Sequence, residues 1–276
     1  MYTRTVAWPA MRSLEPELLT RPIRRIHCTA ADRLAEAGLG PSLPAPAAVV
    51  DYAAVVVNKP WGYEYQLYDN GEVSVWILSI RPGASTSLHC HRSKLTSLVV
   101  LAGRVATCSL KNRFTLGRLD GVSIDARAFH ATRATDGSGA FVLEIETPSL
   151  KCDVVRLRDE YGRQLTAYEG TAAHSAKLDD DALIFFAERG PHARQVLRGT
   201  SMCLERVARG HLLSETGVLR PGHTVGLCAG AVADGSGAVV LSTGAICRAE
   251  ALLRRDGARA LTDLELLTIG VAEEYA

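Results

Sequence analysis

Short segments with β-strand character, separated by turn residues, most constrain the fold of this chain. Between residues 49 and 148, β-branched and aromatic residues repeatedly give way to Gly, Pro, Asn and Asp. Residues 63–67 and 73–81 flank an Asp-Asn-Gly sequence at 69–71, which is a strong signal for a hairpin turn. Strands of this length and spacing are typical of a β-sandwich or a small barrel. The sequence therefore predicts a mainly β domain with a ligand site at its mouth.

Two histidines, His89 and His91, alternate with Cys90 inside this region. Residues i and i+2 of a strand face the same side, so both imidazoles point into one space. A third imidazole can come from His130, which follows a strand-like segment. Neutral imidazoles bind divalent transition metals, so the three histidines are predicted ligands of one metal ion. The alternative is a metal-free relic in which the same side chains serve packing or hydrogen bonding.

The surroundings of these histidines resemble the two motifs of the cupin superfamily. Five residues separate Gly83 from the His-x-His pair, Gly103 follows the pair, and His130 lies further on. Residues 57–163 are similar to the mannose-6-phosphate isomerase (type II) cupin domain that is fused to mannose-1-phosphate guanylyltransferases. The two edges of the match are Lys-Pro-Trp-Gly at 59–62 and the segment 153–163. The resemblance implies a jelly-roll (double-stranded β-helix) barrel and a metal-dependent isomerase acting on a sugar phosphate.

Two departures from the family pattern bear on the chemistry. The family usually carries a Glu ligand seven residues before the closing Gly, and that position is Thr96 here. The second motif usually reads Pro-x-Gly-x-x-His, whereas residues 125–130 read Asp-Ala-Arg-Ala-Phe-His. The inferred ligand set is three histidines with one divalent ion, and the sequence does not distinguish Zn, Fe, Mn or Ni. A three-His non-haem iron oxygenase and a non-catalytic sugar- or metabolite-binding cupin therefore remain alternatives to the isomerase.

Several residues near the motifs are candidate substrate ligands. Arg92 and Lys94 follow the His-x-His pair, Arg81 precedes it, Arg127 lies close to the distal histidine, and Trp61 belongs to the first edge motif. The four cations could hold a phosphate or carboxylate at the barrel mouth, and the indole could stack on a sugar ring. The alternatives are solvated strand edges for the cations and a core position for the Trp.

Isomerisation also needs an acid and a base that move a proton between adjacent carbons. Lys94, Glu144 and Tyr65 are the candidates by residue type. Glu144 and Glu146 are two residues apart on the predicted strand 141–146, so they share one face of it. The sequence does not say whether that face points inward.

The overall composition limits which kinds of partner and which cellular compartment are expected. A net charge of +1 over 276 residues gives no general affinity for nucleic acid or a membrane surface. We expect no membrane segment and no signal peptide, because no long apolar stretch occurs. The seven cysteines include no C-x-x-C pair and indicate reduced thiols in a cytoplasmic protein. The expected partner is a small anionic molecule, with a homodimer left open.

We expect three segments along the chain. Residues 1–48 form an N-terminal extension and linker with a short helix, which begins at a capping-box sequence, Thr29 to Asp32. Residues 49–163 form the metal-binding cupin domain. Residues 164–276 form a β-rich unit without a metal motif, either a degenerate second cupin that would make the protein a bicupin or a small α+β unit. Its residue patterns predict strands at 183–186 and 264–269 and a short helix over 246–255, and its histidines, His192 among them, are interpreted as structural or surface residues.

Overall fold

The computed structural model describes residues 22–39, 50–164, 168–176 and 194–272. The expected linker at 41–46, the predicted strand at 183–186 and His192 lie outside these ranges. In the part of the chain described here, no helix is long and apolar enough to cross a membrane.

Most of the regular structure is β. The strands before residue 164 are β1 (Arg24–Ile26), β2 (Val55–Lys59), β3 (Gly62–Asp69), β4 (Ser74–Ile80), β5 (Leu88–Cys90), β6 (Leu95–Ala102), β7 (Val105–Ser109), β8 (Arg113–Leu116), β9 (Gly121–Ile124), β10 (His130–Ala134), β11 (Ala140–Thr147) and β12 (Val155–Arg158). The later strands are β13 (His174–Ala176), β14 (Arg194–Leu197), β15 (Thr200–Val207), β16 (Thr224–Ala229), β17 (Ala231–Ala233), β18 (Val239–Ser242), β19 (Ile246–Arg248), β20 (Arg259–Ala260) and β21 (Leu264–Val271). The helices are α1 (Ala30–Ala37) and α2 (Ala249–Leu253), with single 3₁₀ turns at Tyr52–Ala54 and Thr171–Ala173.

Two sheets enclose the cavity that carries the histidines. The larger has the strand order β1-β9-β6-β11-β4-β3-β2-β13, and the smaller has the order β12-β5-β10-β7-β8. Neighbours within each sheet are mostly distant in sequence, as in a jelly roll built from two packed sheets. The predicted mainly β, cupin-type fold is confirmed by this arrangement.

The large sheet is buried on both faces, and strand alternation sorts its side chains between them. On β11, Val142 packs in the core between the two enclosing sheets, whereas Leu143 and Ile145 pack in a second core behind the large sheet. Met202 and Leu267, from later in the chain, belong to that second core. The strand that faces the cavity on one side is therefore supported on the other side by the C-terminal part of the chain.

That C-terminal part, residues 194–272, is called the C-terminal unit below. It contains a five-stranded sheet of order β14-β15-β21-β16-β19 and a three-stranded sheet of order β18-β17-β20. Gly226 lies so close to the large sheet that an added Cβ would sit 2.4 Å from Cδ1 of Ile145. Strand β13 also pairs with β2, so residues beyond 163 extend the large sheet. The boundaries at 48/49 and 163/164 stay predictions.

The capping-box prediction for α1 is confirmed. Thr29 caps the helix through its side chain, and Asp32 returns the contact to the Thr29 backbone. The second oxygen of Asp32 accepts a hydrogen bond from the backbone N–H of Phe129 at 3.0 Å. Because Phe129 directly precedes β10, this contact fixes α1 beside the start of that strand.

Candidate metal centre

The three predicted metal ligands converge at one end of the small sheet. His89 lies on β5, His130 begins β10, and the two residues are direct partners in the antiparallel register. Their ring centroids are 4.4 Å apart, and the ring of His91 lies 4.9 Å from that of His89 and 5.5 Å from that of His130. One ring nitrogen from each residue falls within 4.8 Å of the other two. We call these three residues the histidine cluster.

Backbone hydrogen bonds fix the orientation of all three rings. Each Nδ1–H donates to a backbone carbonyl: that of Ser87 for His89, at 2.8 Å; that of Asp153 for His91; and that of Ala128 for His130, at 3.0 Å. The lone pair of each neutral ring is then on Nε2, the nitrogen that remains for a ligand.

The fit to a metal ion can be tested on those Nε2 atoms. In His91 and His130 the Nε2 atom is buried and has no hydrogen-bond partner among the described residues. A buried polar atom left in this state costs roughly 1–3 kcal/mol, so two at one point indicate a missing ligand. A divalent ion accepts lone pairs where a hydrogen-bond donor would otherwise be needed. The residues present therefore fit a metal ion.

Electrostatics keep the rings in the form that binds metal. Burial lowers the pKa of His89 and His91 well below the usual value, with the charges of His130 and Lys94 respectively adding to the effect. Burial also lowers the pKa of His130 to about 4. All three imidazoles are consequently neutral near pH 7, with their lone pairs available.

Two carboxylates from β11 face the same cavity. Glu144, Glu146 and His91 each offer an atom within 4.8 Å of the other two, so a second group of potential ligands overlaps the histidine cluster. Nζ of Lys94 donates to Oε1 of Glu146 at 2.5 Å, and Nζ of Lys151 lies 3.8 Å and 3.7 Å from the carboxylates of Glu144 and Glu146.

The pKa values of the two carboxylates are shifted in opposite directions. Burial, together with the charge of Glu146, raises the pKa of Glu144 to about 7. Burial acts against ionisation of Glu146 as well, but the ammonium groups of Lys151 and Lys94 outweigh it and lower the pKa of that group. One buried carboxylate is thus ionised at neutral pH, and its neighbour exchanges a proton there.

Further charged residues extend this arrangement across the cavity. Lys151 lies over the ring of Trp76, 3.6 Å from its centroid, and its Nζ is 3.0 Å from Oε1 of Glu64. Lys59 pairs with the same carboxylate at 3.3 Å and also donates to Glu169. The free space left between these side chains is about 60 Å³, room for only a few water molecules.

The candidate substrate ligands fall into two groups. Trp61 and Lys94 line the cavity, although Lys94 is already engaged with Glu146. Arg92 and Arg127 instead reach Glu36 on α1, at 2.7 Å and 3.6 Å. Exposed Arg81 donates to the backbone carbonyl of Pro60. The side chains of these three arginines do not line the cavity, because carboxylate and carbonyl partners elsewhere hold them.

Among the candidate catalytic residues, Lys94 and Glu144 line the cavity, and Tyr65 does not. Tyr65 packs in the second core, behind the large sheet. Its neighbour Glu64 faces the cavity instead, as strand alternation requires. The structure therefore separates Tyr65 from the histidine cluster by the thickness of the sheet.

Sequence reasoning missed Glu64, Lys151 and Glu169 as cavity residues. Glu64 carried a usable signal, since a charged residue inside a strand buried on both faces calls for a partner. Lys151 and Glu169 lie in connecting segments, where no periodicity predicts direction. They belong to the cavity through tertiary contacts, since Lys151 pairs with Glu64 and Glu169 pairs with Lys59.

The comparisons with known proteins cover part of the chain. No protein-family model matches it. Over 115 residues it is 27% identical to the alginate biosynthesis protein AlgA of Pseudomonas putida, which covers 41% of this chain and 24% of that protein. Over 118 residues it is 25% identical to AlgA of Pseudomonas fluorescens, covering 42% and 24%. The match thus spans about a quarter of the length of these curated relatives.

Solved structures similar to this chain include KdgF from Halomonas sp., with a TM-score of 0.34, 14% identity and coverage of 37% of this chain and 94% of that one. An RmlC-like cupin from Shewanella frigidimarina has a TM-score of 0.33 and 15% identity, with coverage of 38% and 93%. The assignment of a cupin-type fold rests on the strand order of this chain, and its chemistry is inferred from the site.

Proposed function

We propose that the protein is a metal-dependent cupin enzyme that isomerises a small anionic substrate, most simply a sugar phosphate. The observation that carries the proposal is the convergence of three imidazoles beside two buried carboxylates, Glu144 and Glu146, in one cavity. A purely structural cluster of this kind leaves the two buried Nε2 atoms without partners. A metal site accounts for them.

His89, His91 and His130 would hold the metal through Nε2. A divalent ion bound there polarises a carbonyl or hydroxyl group of a ligand. The three Nδ1–H groups, anchored on backbone carbonyls, keep the rings aimed at one point without help from substrate. The protein thereby pre-organises a neutral, three-nitrogen face for the ion.

Glu144 is the residue we assign to proton transfer. Its carboxyl group lies in the same cavity as the histidine cluster, and a pKa of about 7 lets it take up and return a proton at neutral pH. Lys94, a catalytic candidate by residue type, is assigned a positioning role. Its ammonium holds Glu146 ionised, and the charge of Glu146 in turn raises the pKa of Glu144.

The anionic part of the substrate would meet the cavity's cations. Lys59, Lys151 and Arg163 all line the cavity and are paired with carboxylates in it. A sugar phosphate is larger than the free space, so its entry must displace side chains. Among the charged side chains that line the cavity, those of Lys151, Arg163 and Glu169 are the most accessible, at 10%, 13% and 11%, so we expect an anion to enter on their side. The similarity to alginate biosynthesis proteins supports a saccharide substrate.

Metal analysis and a direct assay test the proposal together. The purified protein should contain close to one divalent ion per chain and should interconvert an aldose phosphate and its ketose isomer, followed by NMR. Glu144→Gln should abolish turnover, and Glu160→Gln, which alters an exposed ion pair with Arg133, should not. A metal-loaded protein that turns over no sugar phosphate would contradict the isomerase assignment. Iron with dioxygen uptake would favour the oxygenase, and absence of metal the binding module.

A further inference from the structure

A three-imidazole set leaves a divalent ion with open coordination positions and an uncompensated double charge. In the cavity, β6 offers no carboxylate at the position expected for one. The residue at that position, Thr96, is buried, and its hydroxyl has no hydrogen-bond partner among the described residues. The charge balance of the site therefore depends on a side chain from another strand.

Register places Glu146 at this position. Glu146 on β11 is the direct partner of Thr96 on β6, whereas Glu144 is the partner of Leu98, two residues further along β6 from His91. Of the two acids, Glu146 is thus the one at the histidine end of β11.

The two oxygens of Glu146 are held very differently. Oε1 accepts a 2.5 Å hydrogen bond from Lys94. Among the described residues, the polar contacts of Oε2 are the hydroxyl of Ser74 at 3.5 Å and Nζ of Lys151 at 3.7 Å. A carboxylate can accept a strong hydrogen bond on one oxygen and bind a metal through the other, as metal-ligating carboxylates in proteins commonly do.

We propose that Glu146 is the fourth protein ligand of the metal held by the histidine cluster, contributed across the β6–β11 pair in place of a carboxylate on β6. Lys94 orients it by holding Oε1. The inference rests on the proposed metal site and goes beyond it, since it assigns a ligand that the three-histidine set does not contain.

Cobalt(II) is a suitable probe, because its visible absorption reports the ligand set and its affinity can be measured by calorimetry. Metal-free wild type, Glu146→Gln and Glu144→Gln are titrated under the same conditions. We expect Glu146→Gln to bind cobalt about tenfold or more weakly with an altered spectrum, as loss of a ligand requires. Glu144→Gln should stay within about threefold of wild type and keep its spectrum.

Glu146→Gln also leaves the Lys94 ammonium unpaired beside the metal, which alone could weaken binding or folding. The double variant Lys94→Met/Glu146→Gln removes both charges together. It should fold and remain as weak in cobalt binding as Glu146→Gln. Recovery of wild-type affinity in the double variant would overturn the ligand assignment, because repulsion by Lys94 would then explain the loss.

The other outcomes separate this inference from the proposed function. Wild-type affinity and spectrum in Glu146→Gln overturn the inference and leave the three-histidine site standing. A selective loss in Glu144→Gln overturns it in favour of the other acid. If wild type binds no cobalt, the proposed metal site itself fails, and the inference fails with it.

Discussion

The space between the two enclosing sheets and the interior of the C-terminal unit both contain a hydrophobic core, but the first also holds a larger group of buried charged side chains. The first contains the histidine cluster together with buried Lys59, Glu64, Lys94, Glu144 and Glu146. The main hydrophobic cluster of the C-terminal unit is aliphatic, with Val225, Leu227 and Leu266 among its fully buried members. Within the described residues, both groups of potential metal ligands lie in the first region.

The difference indicates that the two regions have different roles. Burying several charged side chains in one cavity is costly, and such a group is commonly retained for function. In the C-terminal unit the buried charges of Arg248 and Glu250 have structural partners, Asp120 and the backbone of Gly222, and the unit braces the site from behind. It donates through Thr224 to the carbonyl of Leu119 at 3.1 Å, and it accepts from Ser97 on β6 through the carbonyl of Gly244 at 3.0 Å. The site strands are thus held between a reactive face and a supporting face.

The largest expected effect is on metal affinity. His91→Ala and His130→Ala each remove one of three converging nitrogens and should weaken binding of a divalent ion by about 100-fold or more. His211→Ala, an exposed histidine of the C-terminal unit, is the matched control and should bind metal as wild type does. Calorimetry or competition with a chromophoric chelator gives the values. An equal loss of metal affinity in all three variants would show that the histidines between the enclosing sheets have no special role in metal binding.

Acid should destabilise the metal-free protein through the histidine cluster. The pKa of His130 is about 4 in the folded chain and about 6.5 in the unfolded chain, so the native state binds fewer protons in between. Its contribution of about 3 kcal/mol is present above pH 6.5 and is lost as the pH falls through 4. Urea unfolding across this range measures it. His130→Gln should reduce the dependence of the unfolding free energy on pH. An unchanged dependence in this variant would show that other groups cause it.

Support from the C-terminal unit can be tested at Gly226. Gly226→Ala puts a methyl group against Ile145 in a packed core and should destabilise the fold by about 2 kcal/mol. Adding Ile145→Val removes the atom in conflict and should restore part of that loss. Gly137→Ala, where an added Cβ meets nothing within 4 Å, should change stability by less than about 0.5 kcal/mol. A neutral Gly226→Ala would mean that the two regions pack more loosely than described.

The smallest effect concerns a hydroxyl group. Thr96→Val replaces a buried Oγ1 that has no partner and should stabilise the metal-free protein by about 1 kcal/mol. Thr107→Val is the paired comparison, because it breaks a 3.1 Å hydrogen bond with Thr132 and should destabilise by a similar amount. Thermal unfolding of both variants decides. Destabilisation by Thr96→Val would show that the hydroxyl has a favourable interaction in the folded protein.

Local sequence patterns predicted much of the framework. The turn at residues 69–71 joins β3 to β4, the capping box begins α1, and the segment predicted as a final strand at 264–269 lies within β21. A helix was predicted over residues 246–255, but residues 246–248 form β19 and only 249–253 are helical. Pairing of β19 with β16 there outweighs helix propensity, as tertiary contacts often do for short segments.

By itself, the sequence determined the properties that depend on near neighbours. Strand alternation put His89 and His91 on one side, and put Glu144 and Glu146 together on one face of β11. Only the tertiary structure decided that this face points to the histidines, that Tyr65 points away from them and that Lys94 is taken up by Glu146. The physical reason is the sequence distance over which each property is set. Strand alternation is set by the backbone within a few residues. Neutralisation of a buried charge depends on partners that folding brings from far along the chain, and Lys94 and Glu146 are 52 positions apart.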